Sequence, residues 1–157
     1  MPKYFPALLL IEAQRAVVIG GGGVSERKIR VLLHAGAQVT VVAPEATAGI
    51  RRLAAQGRLT WRQKAYQRDD LAGAKLVIVG TDNPAVNQQV VEDARAPGVM
   101  VNAADNAENC DFIVPAVVQG EGFSLAISTG SGSPAFARYV REGLAKKFGV
   151  VRKPPVK

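Results

Sequence analysis

Nine residues near the start of the chain, Val17-Val18-Ile19-Gly20-Gly21-Gly22-Gly23-Val24-Ser25, constrain the fold more than any others. A β-branched run passes straight into glycines and then into a helical pattern, the order of a strand, a tight turn and a helix. Gly20 permits the turn, and Gly22 lets a pyrophosphate approach the backbone. The free N–H groups and positive dipole end of the helix suit an anion. The spacing is GxGxxS, and Ser25 is small enough to stand where the third small residue lets helix and strand pack closely. This places Gly20, Gly22, Gly23 and Val24 at a dinucleotide phosphate site; the alternative is a glycine turn with no ligand.

The rest of the chain repeats the alternation. Apolar runs at Ala16–Ile19, Gln38–Ala43, Leu59–Gln63, Leu76–Gly80 and Val99–Ala103 read as strands, several continuous enough to be covered on both faces. Helical patterns fall at Ser25–Ala35, Ala46–Gln56 and Pro84–Ala94, the first two stopped by Gly36 and Gly57 and the third started by Asn83 as N-cap. Strand–helix alternation of this kind predicts an α/β fold, a Rossmann-type, mainly parallel sheet over residues 1–111. A different rule holds after Ala104. Phe112–Val118 and Phe123–Ile127 flank Gln119-Gly120-Glu121-Gly122 as a hairpin would, and Ser133-Pro134 opens a helix to about Phe148 with Phe136, Val140 and Leu144 on one stripe. A hairpin and one helix bury too little to stand alone, so residues 112–149 are expected to pack on the first domain or on a second copy, the latter a homodimer. Residues 150–157 read as a basic, frayed tail.

Composition narrows the function classes. At 157 residues, 48% hydrophobic and 21% charged, the chain has room for one domain and a small appendage, and it is neither disordered nor collagen-like. The apolar run Ala7–Ile11 is too short for a signal peptide or a membrane span, so a cytoplasmic protein with no membrane partner is expected. Cys110 and His34 are the only residues of their kinds, which leaves no intrachain disulfide, no CxxC pair and no His/Cys metal cage. The net charge of +7 comes almost wholly from residues 138–157, where seven basic side chains face only Glu142. Few aromatics interleave with them, so no nucleic-acid platform is expected.

The adenosine marker of such folds is an acidic residue ending the second strand. Here Ala43 holds that place and Pro44-Glu45 follow; Glu45 either bonds the ribose or favours the next helix start. No arginine directly follows the strand, which favours NAD over NADP. Thr81 and Asp82 end the fourth strand on the edge where open sheets bind ligands, although Asp82 suits a turn equally well. Asp105 ends the fifth strand near where a nicotinamide would lie and is either a general base or a loop carboxylate. His34 reads as a surface residue.

Taken in order, these features resemble the precorrin-2 dehydrogenase family, the N-terminal module of sirohaem synthases. The resemblance rests on Tyr4-Phe5-Pro6, Val18-Ile19-Gly20-Gly21-Gly22 with Val24-Ser25-Glu26-Arg27-Lys28, and Leu33-His34-Ala35-Gly36-Ala37-Gln38-Val39-Thr40-Val41-Val42-Ala43. It continues through Gly57-Arg58-Leu59, Thr81-Asp82 with Asn87-Gln88, Val101-Asn102 with Asp105, Phe112-Ile113-Val114-Pro115-Ala116 and Ile127-Ser128-Thr129-Gly130. It implies NAD-dependent oxidation of precorrin-2 to sirohydrochlorin and, in some members, insertion of ferrous iron as a second substrate. It assigns proton transfer to Asp105, with pyrrole nitrogens supplying the metal ligands, and it implies an intertwined homodimer. Substrate carboxylates are expected to meet Asn102, Ser128, Thr129, Gly130 and Arg138, with Arg141 and the Gly130-Ser131-Gly132-Ser133 turn as further donors. No methyltransferase sequence follows, so precorrin-2 is expected from a separate protein. The rivals are an NAD(H)-sensing module that binds without turnover and an NAD-dependent enzyme with an unrelated small substrate.

Overall fold

A computed structural model describes residues 4–104, 106–130 and 132–150. The expected catalytic Asp105, the turn residue Ser131 and residues 151–157 of the basic tail lie outside them. The chain divides into two compact units, Ala7–Phe112 and a second that joins the residues up to Pro6 with those from Ile113 onward.

The larger unit holds a five-stranded, wholly parallel sheet of β1 (Arg15–Ile19), β2 (Gln38–Val42), β3 (Thr60–Arg62), β4 (Leu76–Val79) and β5 (Met100–Ala103), in the order β3-β2-β1-β4-β5. The order reverses beside β1, so the connections that leave the paired strands β1 and β4 run in opposite directions along the sheet, the switch point at which open sheets of this kind bind ligands. Helices α1 (Gly23–His34), α2 (Ala48–Ala55) and α3 (Pro84–Arg95) connect the strands. Alternate side chains of each strand enter two separate cores, as the two-residue period of a strand requires. Val18, Val41 and Ile78 join Ile29 and Leu32 of α1 and Ile50 and Leu53 of α2, while Val17, Val42, Val77 and Val79 join Val90 and Val91 of α3. The crossover from β3 to β4 contains a single 3-10 turn, Arg68–Leu71, and Leu71 and Tyr66 fill the second core in place of a helix.

The free edge of β5 is closed by the chain itself. Asp111 N donates to Val101 O at 2.9 Å, Val101 N donates to the Asp111 carboxylate at 2.8 Å, and Ala103 N donates to Cys110 Sγ at 3.2 Å. Side chains here replace the carbonyls of a missing strand, a common way to blunt an edge. Cys110 is thereby a structural hydrogen-bonding group.

The smaller unit is a hairpin of β6 (Ala116–Gly120) and β7 (Phe123–Ile127) with helix α4 (Pro134–Lys147), which packs against β6. Two expectations are corrected. The first strand begins at Ala116 instead of Phe112, because residues 110–112 bond along β5, and the turn is Glu121-Gly122, with Gln119 and Gly120 still paired in the ladder. Phe136 of α4 is 57% exposed, and Ala137 is the buried residue beside it.

Candidate functional site

The four glycines after β1 divide into two pairs. Gly20, at φ 115°, is buried, and a Cβ on it would strike the Gly80 carbonyl; one on Gly21 would strike the Glu45 carbonyl. These two are glycine because the molecule's own backbone passes there. Gly22 and Gly23 are exposed, and a Cβ on either would meet nothing within 4 Å among the described residues. Gly22 is the N-cap of α1 with φ −80° and ψ 179°, and no side chain among the described residues caps it. The N–H groups of Gly23, Val24 and Ser25 open the helix, where intrahelical acceptors run out. Open backbone, orphan donors and a helix dipole together suit a diphosphate.

Two clamps shape the loops around this turn. Ser25, 1% exposed, donates toward Gly80 O at 3.5 Å and packs where a Gly80 Cβ would stand, which fixes α1 against the end of β4. Glu26 accepts from the Thr47 hydroxyl at 2.6 Å while Thr47 caps α2 through Ile50 N, and a Cβ on Gly49 would run into the Glu26 carboxylate. Thr47 N also donates to Gly21 O at 3.0 Å. The Ala43-Pro44-Glu45 segment is thus held against the glycine turn from both sides. Hydrogen bonds from Thr47 and then from Arg30 hold the Glu26 carboxyl below its usual range. Glu45 itself is exposed and lies ahead of the Thr47 cap, outside the first turn of α2, which removes the helix-start alternative for it.

Thr81 and Asp82 follow β4 on the same edge. Thr81 is fixed by Asn87 of α3: its hydroxyl donates to Asn87 Oδ1 at 2.6 Å, its N–H reaches the same atom at 3.3 Å, and Asn87 Nδ2 donates to Thr81 O at 3.0 Å. Asn87 is 4% exposed, and its buried amide is satisfied through both its oxygen and its nitrogen by the Thr81 loop. Asp82 is exposed. The cofactor residues named from sequence therefore meet at the carboxyl ends of β1, β2 and β4.

The residues named for substrate are divided between the two units. Asn102 lies on β5, 4% exposed, donating to Phe112 O at 2.8 Å and accepting from Lys28 Nζ at 2.5 Å. Its amide is committed to tying α1 to β5 and the chain that returns along it. Ser128, Thr129 and Gly130 form one loop in the other unit: Gly130 N donates to Ser128 Oγ at 3.1 Å, and Thr129 Oγ1 accepts from Ser133 N at 3.1 Å ahead of α4. Arg138 is 74% exposed beside Glu142.

Residues 7–116 match a family described as "Putative NAD(P)-binding". The Siroheme synthase of Nitrosococcus oceani is 39% identical over 142 residues, 90% of this chain and 30% of that protein. That of Methylococcus capsulatus is 41% identical over 138 residues, 88% of this chain and 29% of that one. The chain thus spans about 30% of the length of the curated relatives it matches. Among solved structures, SirC, a precorrin-2 dehydrogenase, superposes with a TM-score of 0.77 and 30% identity over 92% of this chain and 71% of its own. The chain belongs to the precorrin-2 dehydrogenase family. A D-lactate dehydrogenase from Escherichia coli, 15% identical with a TM-score of 0.51 over 66% of this chain and 32% of its own, shares the fold alone. Family membership makes a nicotinamide dinucleotide the cofactor of the chain, and the donor set at Gly22–Ser25 is of a kind that fits that group. Among the described residues no helix is long and apolar enough to cross a membrane, and no cluster of His, Cys, Asp or Glu could hold a metal ion.

Proposed function

We propose that this chain catalyses the NAD-dependent dehydrogenation of precorrin-2 to sirohydrochlorin. The observation that carries the reading is the open backbone of Gly22 and Gly23 at the start of α1, kept clear of side chains while Gly20 and Gly21 are filled by the protein's own carbonyls. In this reading the dinucleotide lies across that turn, with its adenosine toward Ala43, Pro44 and Glu45 and its other half toward Thr81 and Asp82. When bound, NAD supplies a hydride acceptor. The residues of the chain supply the rest: the N–H groups of Gly23 to Ser25 neutralise the diphosphate, and Asn87 holds the Thr81 loop in place. Asp105 accepts the proton released as precorrin-2 gives up a hydride, so two electrons and two hydrogens leave the macrocycle in all.

Cationic and N–H donors for the substrate's carboxylates come from Gly130, Ser128, Thr129 and Arg138, on a loop and helix that present them together in one unit. Ferrous iron enters as a substrate coordinated by the macrocycle's own nitrogens, with Asp105 taking up the displaced protons. Two copies of the chain pair through the smaller unit, a reading supported by its exposed Phe136, Tyr139 and Phe148.

The test is an anaerobic incubation of the protein with precorrin-2 and NAD, following NADH and pigment absorbance together. Stoichiometric formation of both is expected. Binding of NAD with neither product would leave a sensing module and overturn the dehydrogenase. Asp105→Asn is expected to keep NAD affinity while turnover drops about 10²–10⁴-fold, the usual worth of a positioned base. Added ferrous iron, scored against the spontaneous rate, tests the chelation step separately.

A further inference from the structure

No cation follows β2 directly, yet the fold brings two beside it from the next strand. Residues Thr40, Val41 and Val42 of β2 stand opposite Thr60, Trp61 and Arg62 of β3. The pairing runs one residue further, since Ala43 N donates to Arg62 O at 3.2 Å and Trp61 Nε1 donates to Ala43 O at 3.0 Å. Arg62 and Lys64 therefore stand at the same edge as Ala43-Pro44-Glu45, the segment assigned to adenosine. In NADP-dependent Rossmann folds a cation at this place receives the ribose 2′-phosphate.

Both cations are already engaged. Arg62 NH1 donates to Asp70 Oδ1 at 2.9 Å, and Lys64 Nζ donates to Asp70 Oδ2 at 2.7 Å. Asp70 is 2% exposed, whereas Arg62 and Lys64 keep 43% and 37% of their side chains in solvent. The carboxylate also accepts from Gln67 N at 2.9 Å, which caps the 3-10 turn, and its own carbonyl accepts from Arg15 NH2 at 3.0 Å. Asp70 is therefore anchored from both sides of the crossover. A phosphate that recruited Arg62 and Lys64 would have to strip a buried anion of its partners, an unfavourable exchange. Glu45, exposed at the same edge, adds like-charge repulsion.

Resting on the dinucleotide reading above, we propose that Asp70 is a specificity-determining residue: by drawing Arg62 and Lys64 to itself, it keeps the adenosine end selective for the 2′-hydroxyl of NAD over the 2′-phosphate of NADP. Burial opposes ionisation of Asp70, but hydrogen bonds from Lys64, Gln67 N–H and Arg62 outweigh it and hold the carboxyl below its usual range, so the cations stay engaged at neutral pH.

Calorimetric titration of the full chain with NAD and with NADP tests this. The native protein is expected to bind NAD more tightly, and Asp70→Asn to shift the NADP-to-NAD affinity ratio at least tenfold toward NADP. Lys64→Met, which leaves Asp70 paired with Arg62 and capping its turn, keeps the test decisive if Asp70→Asn fails to fold. It is expected to leave the ratio within twofold, because Lys64 is not available to the phosphate. A native preference for NADP, an Asp70→Asn ratio within twofold of native, or a tenfold loss of NADP affinity in Lys64→Met would each overturn the proposal. A native chain that binds neither nucleotide overturns the dinucleotide reading itself, and the proposal with it.

Discussion

The two units use their apolar side chains in opposite ways. In Ala7–Phe112, the central strands β1 and β4 are buried on both faces, and residues such as Val17, Val18, Ile50 and Val77 are fully buried. In the smaller unit only Val118 and Ala137 are buried hydrophobics among the described residues, while Phe136, Tyr139 and Phe148 are 57%, 74% and 52% exposed. Phe136 and Tyr139 stack on each other at 6.5 Å, and Phe123 meets Phe148 edge-on at 5.6 Å, contacts that gather rings without covering them. A sheet closed by its own connections completes its core within one chain; a hairpin and a helix expose the surface on which another surface can lie.

The glycine turn breaks the first half of this comparison most severely. Gly21→Ala is expected to cost more than about 3 kcal/mol or to prevent folding, because its Cβ would displace the Glu45 carbonyl, backbone held by Thr47 N bonding to Gly21 O. Chemical denaturation measures it. Ile50→Ala, which empties a fully buried position between α2 and the sheet, is expected to cost about 3 kcal/mol by the same assay. Gly22→Ala sharpens the contrast within the turn: stability should move by less than about 1 kcal/mol, since its Cβ enters open space, while NAD affinity falls at least tenfold. A variant that lost stability but kept NAD affinity would reverse the roles assigned to the two glycine pairs.

The second half is tested on the exposed rings. Phe136→Ser with Tyr139→Ser should change unfolding by no more than about 0.5 kcal/mol per site in dilute protein, since neither ring is buried. Self-association followed by sedimentation should weaken clearly. Unaltered association would remove this face from the pairing assigned to it.

How far the sequence revealed these features depended on whether their cause was local. Glycines, caps and β-branched runs act within a few residues, so the strands, three connecting helices and the glycine turn were legible, Ser25 included. The role of Gly21 was not, because its cause is a carbonyl 24 residues away. Nor was the Glu26–Thr47 clamp, which needs α1 and α2 to be neighbours before a carboxylate and a hydroxyl can meet. Asn87 and Asn102 stood in legible elements, but periodicity does not say which polar residue on a buried face holds a loop.

Acid separates the two units. Among the described residues the two carboxyls held below their usual range, Glu26 and Asp70, belong to Ala7–Phe112. A carboxyl whose folded pKa is depressed contributes stability that is complete above its unfolded value and disappears as pH falls through the folded one. The losses therefore begin near 4.5 for Glu26 and 3.8 for Asp70 and grow below those values. Trp61, the one tryptophan of the chain, packs against the first core of that unit, so its fluorescence reports this unit and not the other. Thermal melts followed at Trp61 should be independent of pH from 7 to about 5 and should fall steeply below 4. In Glu26→Gln with Asp70→Asn the melting temperature should be lower at pH 7 and nearly level through the acid range. If the double variant kept the native slope, the acid-labile groups would lie elsewhere, and the larger unit's closure would owe little to these two anions.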